Sequence, residues 1–183
     1  MAEGDSLARS QQGVQADEQP IVIESAEDAS PLAHVVLYQP EIPQNTGNIG
    51  RTCVATGAAL WIVRPAAFRL DDRSLKRAGL DYWQHLAVQM VDNWHELQQQ
   101  LPPTPKRNYW FFSRFATRGI WSANFQRGDV LVFGSETGGL PASIHQQAGD
   151  QALRLPTTEH VRSLNLASTA AVAIYELARQ VGV

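Results

Sequence analysis

Asn45, Gly47 and Arg51 lie within one twelve-residue stretch, PEIPQNTGNIGR, whose side chains suit recognition of an oxyanion. An arginine presents a planar fork of donors that matches phosphate or carboxylate. Asn45 and Gly47 suit a turn into a helix, which places Arg51 about one turn inside that helix. Read on this loop alone, Arg51 is first of all an ordinary solvated helix residue. A second stretch, FGSETGGLP, ends a strand in Gly134-Ser-Glu136 and continues with two glycines, leaving backbone bare enough to approach a ligand closely. Glu136 there accepts a proton, holds a loop amide, or caps the helix that Pro141 opens. A third stretch, LPTTEHVRSLNLAS, brings Ser163 and Asn165 to the mouth of the last helix, where serine is a common cap. A cap followed by a polar connector is the alternative to a site. No G-x-G-x-x-G and no Walker-type lysine is present, so a phosphate-cradling loop is not part of the design. His85, His95 and His145 lack metal-ligand spacing and read as surface or helix residues.

The elements that must position these loops alternate in type. His34–Tyr38 is a nearly continuous apolar run, the pattern of a strand covered on both faces. The turn at Pro43–Asn48 leads into a helix carrying Ile49, Cys53 and Val54 and stopping at Gly57. Leu60–Val63 is a second strand, and Asp71–Leu80 a short charged helix. Asp92 caps a helix that runs to Leu101 and ends before Pro102-Pro103. Asn108–Ser113, Asp129–Phe133 and Ala152–Leu155 complete five strands. Leu166, Ala170, Ala173, Ile174, Leu177 and Val181 recur at helical spacing and predict the final helix. Alternating strands and helices imply an α/β fold, a mostly parallel sheet with helices on both faces. Ligands in such sheets collect at the strand carboxyl ends, where all three loops fall.

Bulk properties agree with one folded domain, residues 32–183, behind an acidic tail, residues 1–31. The tail holds seven acids and one arginine, with few large apolar residues, and reads as disordered. The remainder holds fourteen bases and eleven acids, so the net charge of −3 hides a mildly basic body compatible with a nucleic-acid partner. A single cysteine, Cys53, excludes an internal disulfide and any cysteine-cluster metal site. No apolar run is long enough to span a bilayer, and the N-terminus lacks the layout of a secretory signal. The expected compartment is the cytoplasm, with no membrane partner and no protein partner other than a second copy of the chain.

Taken in order, Asn45-x-Gly47-x-x-x-Arg51, Gly134-x-Glu136-x-x-Gly139-Leu140-Pro141 and Ser163-x-Asn165-Leu166 resemble the three motifs of the SPOUT methyltransferases of the TrmH type. LYQPEIPQNTGNIGRTC together with DDRSLKRAGLDYW looks more like the TrmL branch, which 2′-O-methylates the wobble nucleotide of leucine tRNAs, a cytidine or cmnm5-uridine. The likeness spans nearly all of residues 34–181. It implies a C-terminal deep trefoil knot, which no composition predicts. It further implies S-adenosylmethionine as methyl donor without a metal, tRNA as substrate, and a homodimer in which the partner completes the site.

By motif position, the resemblance assigns cofactor contacts to Phe115, Gly134, Leu155, Ser163 and Leu164. It assigns the reaction itself to Arg51, with Asn45, Ser163 and Asn165 organising the site and Glu136 as an alternative proton acceptor. A guanidinium has donors and no acceptor, so orienting the 2′-hydroxyl suits Arg51 at least as well as taking its proton. Arg64, Arg69, Arg73, Lys76 and Arg77, and separately Arg114 and Arg118, fit an RNA footprint. Tyr82, Trp83 and Trp121 are candidates for stacking on unpaired bases, or else core or dimer-interface residues, as Trp61, Trp94 and Trp110 are expected to be. One departure is Ala167, where the family pattern has serine, with Ser168 one place later; a local rearrangement of one hydroxyl contact is expected there, not loss of activity. Other readings of the same residues are methylation of another tRNA or rRNA ribose, and a non-catalytic RNA-binding dimer of the same fold.

Overall fold

The computed structural model describes residues 30–68 and 81–183. Most of the tail and the expected Asp71–Leu80 helix, with Arg69, Arg73, Lys76 and Arg77, lie outside the described residues. Within them the chain runs β1 (His34–Tyr38), α1 (Pro43–Thr56), β2 (Ala59–Val63), a 3-10 turn (Asp81–His85), β3 (Val88–Val91) and α2 (Trp94–Gln100). It continues through β4 (Tyr109–Phe112), β5 (Arg118–Gly119), β6 (Val130–Phe133), α3 (Ala142–Ala148), β7 (Ala152–Arg154) and α4 (Leu166–Val181). The strands form one seven-stranded sheet in the order β3-β2-β1-β6-β4-β7-β5, and every neighbouring pair is parallel.

The sheet has two strands beyond the five that the sequence predicts, β3 and β5, and both form only through tertiary pairing. In β3 only Val91 is buried, and β5 has two residues, so neither carries an apolar period of its own. Both take their conformation from a neighbour, β3 from β2 and β5 from β7. Two local corrections concern caps. Asn93, not Asp92, caps α2: its side chain accepts from Glu96 N at 2.9 Å, while Asp92 pairs with Arg64 at 2.9 Å. And α1 begins at Pro43, whose fixed φ suits the first helical position. Asn45 and Gly47 are therefore inside the helix, and Arg51 lies about two turns in, one turn further than the sequence suggests.

The strands read as continuous apolar runs because both faces are covered. Val35, Leu37, Leu60, Ile62, Leu131 and Phe133 face Ile49 and Cys53 of α1 and Ala170, Ala173, Ile174 and Leu177 of α4. Val36, Trp61, Val63, Tyr109, Phe111, Val130 and Val132 face Leu97 and Leu101 beside α2 and Ile144 and Ala148 of α3. The sheet thus winds outward from β1 through β2 and β3, then reverses, with β6 seated between β1 and β4. That reversal opens a crevice at the carboxyl ends of β1, β6 and β4.

Two buried polar groups tie strands together. Asp129, fully buried, accepts from Asn108 N at 2.8 Å, Gln126 N at 2.9 Å and Trp110 Nε1 at 2.8 Å, fixing the entries of β4 and β6. His34 Nδ1 accepts from Trp61 Nε1 at 3.1 Å across β1 and β2. Burial, reinforced by the charge of Arg107, lowers the His34 pKa from 6.5 to about 4. Between those values the unfolded chain binds the proton that the folded chain refuses, so stability is complete above pH 6.5 and is lost as pH falls toward 4. The expected loss is about 3 kcal/mol, read as the difference in denaturation free energy between the parent and His34→Gln, which keeps an acceptor for Trp61. Parallel stability curves for the two chains across that window would contradict this assignment.

Candidate active site

The crevice is a cleft of about 300 Å³, within the range of small-molecule sites, roughly 300–1,000 Å³. Four strand ends build it: Ile42 and Asn45 beyond β1, Phe112 and Ser113 at β4, Phe133 and Gly134 at β6, and Leu153 to Leu155 at β7. The Ser163–Leu166 segment closes it from the α4 side. Its walls combine apolar side chains such as Phe112, Phe133 and Leu155 with polar ones, and Arg114, Arg154 and Arg162 stand among them.

Among the described glycines, Gly134 leaves the least room for a side chain. A Cβ there would meet the Gly139 carbonyl carbon at 2.1 Å and Leu140 N at 2.3 Å. The contact exists because residues 135–139 fold into a tight turn, with Ser135 N to Gly139 O at 3.2 Å and Gly139 N to Ser135 O at 2.9 Å. Gly139 takes φ +68, a left-handed conformation that side chains disfavour. The glycines therefore pack backbone on backbone at the cleft wall.

One hydrogen-bonded seam joins the three loops. Asn45, 5% exposed, donates from Nδ2 to Glu136 Oε1 at 2.9 Å and accepts at Oδ1 from Asn165 Nδ2 at 3.0 Å. Glu136 also accepts from Glu41 N at 2.8 Å and Ile42 N at 3.3 Å. Of its possible roles, the structure realises the amide-holding one, with a difference: the amides it holds lead into α1, while α3 follows Pro141 with no side-chain cap. Asn165, not Ser163, caps α4, accepting from Ala167 N at 2.8 Å and Ser168 N at 3.3 Å. The Ala167 departure thus sits in a turn held by its backbone. Thr137 Oγ1 adds a bond to Glu41 Oε2 at 2.5 Å.

Asn45, Glu136, Gly134, Phe115, Leu155, Ser163, Leu164 and Asn165 all line the cleft. Arg51 does not. It is exposed on α1, and its guanidinium lies 4.8 Å from the ring centroid of Tyr82. Tyr82 in turn donates to Gly47 O at 2.6 Å, and Trp83 packs where a Cβ on Gly50 would come within 3.0 Å. Both aromatics are committed to α1, whereas Trp121 is 60% exposed. Trp61 and Trp110 are buried. Arg118, expected in an RNA footprint, is instead spent on Ser122 and the Asp150 carbonyl, with Trp110 beneath it. Sequence reasoning missed Ser113 and His145, joined Oγ to Nε2 at 2.6 Å in the cleft wall; the only available signal was the position of Ser113 at a strand end. Burial pushes the Cys53 thiol up to about 12, which leaves it inert. Among the described residues no group of three or more His, Cys, Asp or Glu is placed to hold a metal ion.

A parallel sheet with a mixed cleft at its topological reversal defines an α/β protein of the class that binds ligands at the strand carboxyl ends. The chain belongs to the SpoU rRNA methylase family, whose model matches residues 33–175, and is a methyltransferase. A protein of Methylovorus glucosotrophus named tRNA (cytidine(34)-2′-O)-methyltransferase is 46% identical over 147 residues, covering 80% of this chain and 94% of its own length. A protein of the same name from Saccharophagus degradans is 42% identical over 152 residues, covering 82% and 97%. A solved structure from work on the 2-OH methylation of C/U34 on tRNA matches with TM-score 0.74 at 43% identity, covering 82% of this chain and 96% of that one.

Replacing Gly134 tests the wall directly. Gly134→Ala forces the 135–139 turn outward and is expected to cost about 1–3 kcal/mol, seen as a lower urea midpoint. An unchanged midpoint would mean that the backbone does not cross there.

Proposed function

We propose that this chain transfers a methyl group from S-adenosylmethionine to the ribose 2′-oxygen of the wobble nucleotide, position 34, in tRNA. Its substrates are leucine tRNAs carrying cytidine or cmnm5-uridine there, and it works as a homodimer. The observation that carries the reading is the seam: three motif segments, far apart in sequence, meet at one cleft. Relatives named for this reaction match at 42–46% identity over nearly their whole length.

The cleft fits the methyl donor. Phe115, Leu155 and Leu164 supply apolar surface for an adenosine, and the bare backbone at Gly134 allows close approach. When bound, S-adenosylmethionine supplies an electrophilic methyl group on a sulfonium. The protein's part is to place the ribose oxygen in line with that group and to exclude water. Asn45 and Asn165 hold the rim rigid, and Ser163 adds a hydroxyl at the same edge. Glu136 is a positioning residue, its oxygens already taken by loop donors.

Arg51 completes the site from a second protomer. On its own chain it stands outside the cleft, while Ile42, at the entry to α1, and Tyr175 of α4 are exposed, at 44% and 51%. An apolar face of α1 and α4 turned to a second copy brings Arg51 against the partner's cleft, where its fork orients the 2′-hydroxyl or an adjacent phosphate. The knot belongs to the same reading. It is supported by the entry of β6 between β1 and β4 and by the return of the chain after β7 to pack α4 on α1.

Labelled S-adenosylmethionine with leucine tRNA transcripts tests the reaction, the modified ribose being mapped by primer extension. Arg51→Ala is expected to lower kcat by about 10²–10³ while leaving cofactor affinity intact. Mixed dimers of Arg51→Ala with a cleft-defective Gly134→Ala chain should recover part of the activity. Calorimetry showing no binding of S-adenosylmethionine to folded protein would overturn the function.

A further inference from the structure

A second concavity adjoins the cleft on its outer side, an open groove of about 630 Å³. Arg114, Arg154 and Arg162 line both. They come from three segments: the turn after β4, the end of β7, and the loop leading to α4. Among the described residues the ion pairs are Arg64 with Asp92 and Arg179 with Glu176, so these three guanidinium groups face no described carboxylate in contact. Glu159 is the one acid that lines the groove. Thr158 adds a hydroxyl, the Thr157 hydroxyl being given to the Val161 carbonyl, and Phe115, 72% exposed, stands between groove and cleft with the Arg114 guanidinium 4.6 Å from its ring centroid.

We infer that this groove is the docking track for the phosphodiester backbone of the RNA next to the nucleotide being methylated. Three unneutralised guanidinium forks suit successive phosphates, each an anion with several acceptor oxygens. The methionine carboxylate of the cofactor offers only one anion, and it would occupy the cleft, leaving the groove's charge unmatched. The position gives the track its use: a strand held there delivers its neighbouring ribose to the cleft mouth. An exposed aromatic at the junction suits an unstacked base. The inference rests on the proposed RNA substrate and deepens it, since neither Arg154 nor Arg162 belongs to the motif set.

The test uses full-length protein, a leucine tRNA transcript and a potassium chloride titration followed by fluorescence anisotropy. Each of Arg114→Gln, Arg154→Gln and Arg162→Gln should reduce the slope of log K against log salt by about 0.7–0.9, and the triple variant by about 2. S-adenosylmethionine affinity by calorimetry should stay within about twofold of the parent, taking tenfold as one full logarithmic unit of change. The triple lysine variant should recover the slope, because a compact cation also neutralises phosphate. A triple glutamine variant that is folded by circular dichroism and keeps the parental slope overturns the groove, even while the parent methylates tRNA. Loss of cofactor affinity with RNA binding intact reassigns the arginines to the cofactor carboxylate and also overturns it. A parent chain that binds no RNA overturns both this inference and the function beneath it.

Discussion

The site exists because Asn45 is almost wholly buried and has both ends of its amide engaged. Its Nδ2 binds the carboxylate of Glu136 and its Oδ1 binds the amide of Asn165, so one side chain ties together segments 91 and 120 residues away. A buried amide left unpaired costs about 1–3 kcal/mol. Each partner is therefore held to its place by the penalty of releasing it, more than by the modest net strength of a single bond. The seam is also directional. Asn165 spends its oxygen on the first amides of α4 and its nitrogen on α1, so the start of one helix is indexed against the start of the other.

That indexing has value only because the sheet brings the loops within reach. β6 enters between β1 and β4, which puts the Gly134–Gly139 turn directly beside the start of α1 and allows Glu136 to hold the Glu41 and Ile42 amides that lead into that helix. Helix α4 then packs through Ala170, Ala173, Ile174 and Leu177 on the same face as Ile49 and Cys53. Small residues at Ala170 and Ala173 let it approach α1 closely. Hydrophobic packing sets the distance between α1 and α4, and the polar seam sets their register.

Much of this was legible in the sequence wherever the determining forces are local. The strand at His34–Tyr38 and the helix at Leu166–Val181 appear with the expected bounds, since a two-sided apolar run and an apolar stripe with a nearby cap need no knowledge of the rest of the chain. The three loops likewise lay at strand carboxyl ends, as alternation alone requires. What escaped was non-local. Asn45 and Gly47 looked like turn formers because their helix is started by Pro43 and steadied by a carboxylate 91 residues on, which no window sees. Strands β3 and β5 are strands by partnership, not by pattern. Arg118 looked like a free cation until the fold set it against Trp110 and the Asp150 carbonyl.

The arginines divide by what surrounds them. Arg64 and Arg179 are matched by Asp92 and Glu176, and Arg118 by carbonyl and hydroxyl oxygens of its own chain. Their charge is spent on the fold. Arg51 has an aromatic face beneath it, and Arg114, Arg154 and Arg162 line one concavity with a single acid. A protein gains nothing in stability from leaving cations unmatched, and their mutual repulsion at the rim is a small cost carried by the folded state. Such a cost is sustained where an anion from outside removes it, which is the role the proposed RNA substrate would play for the arginines of the groove.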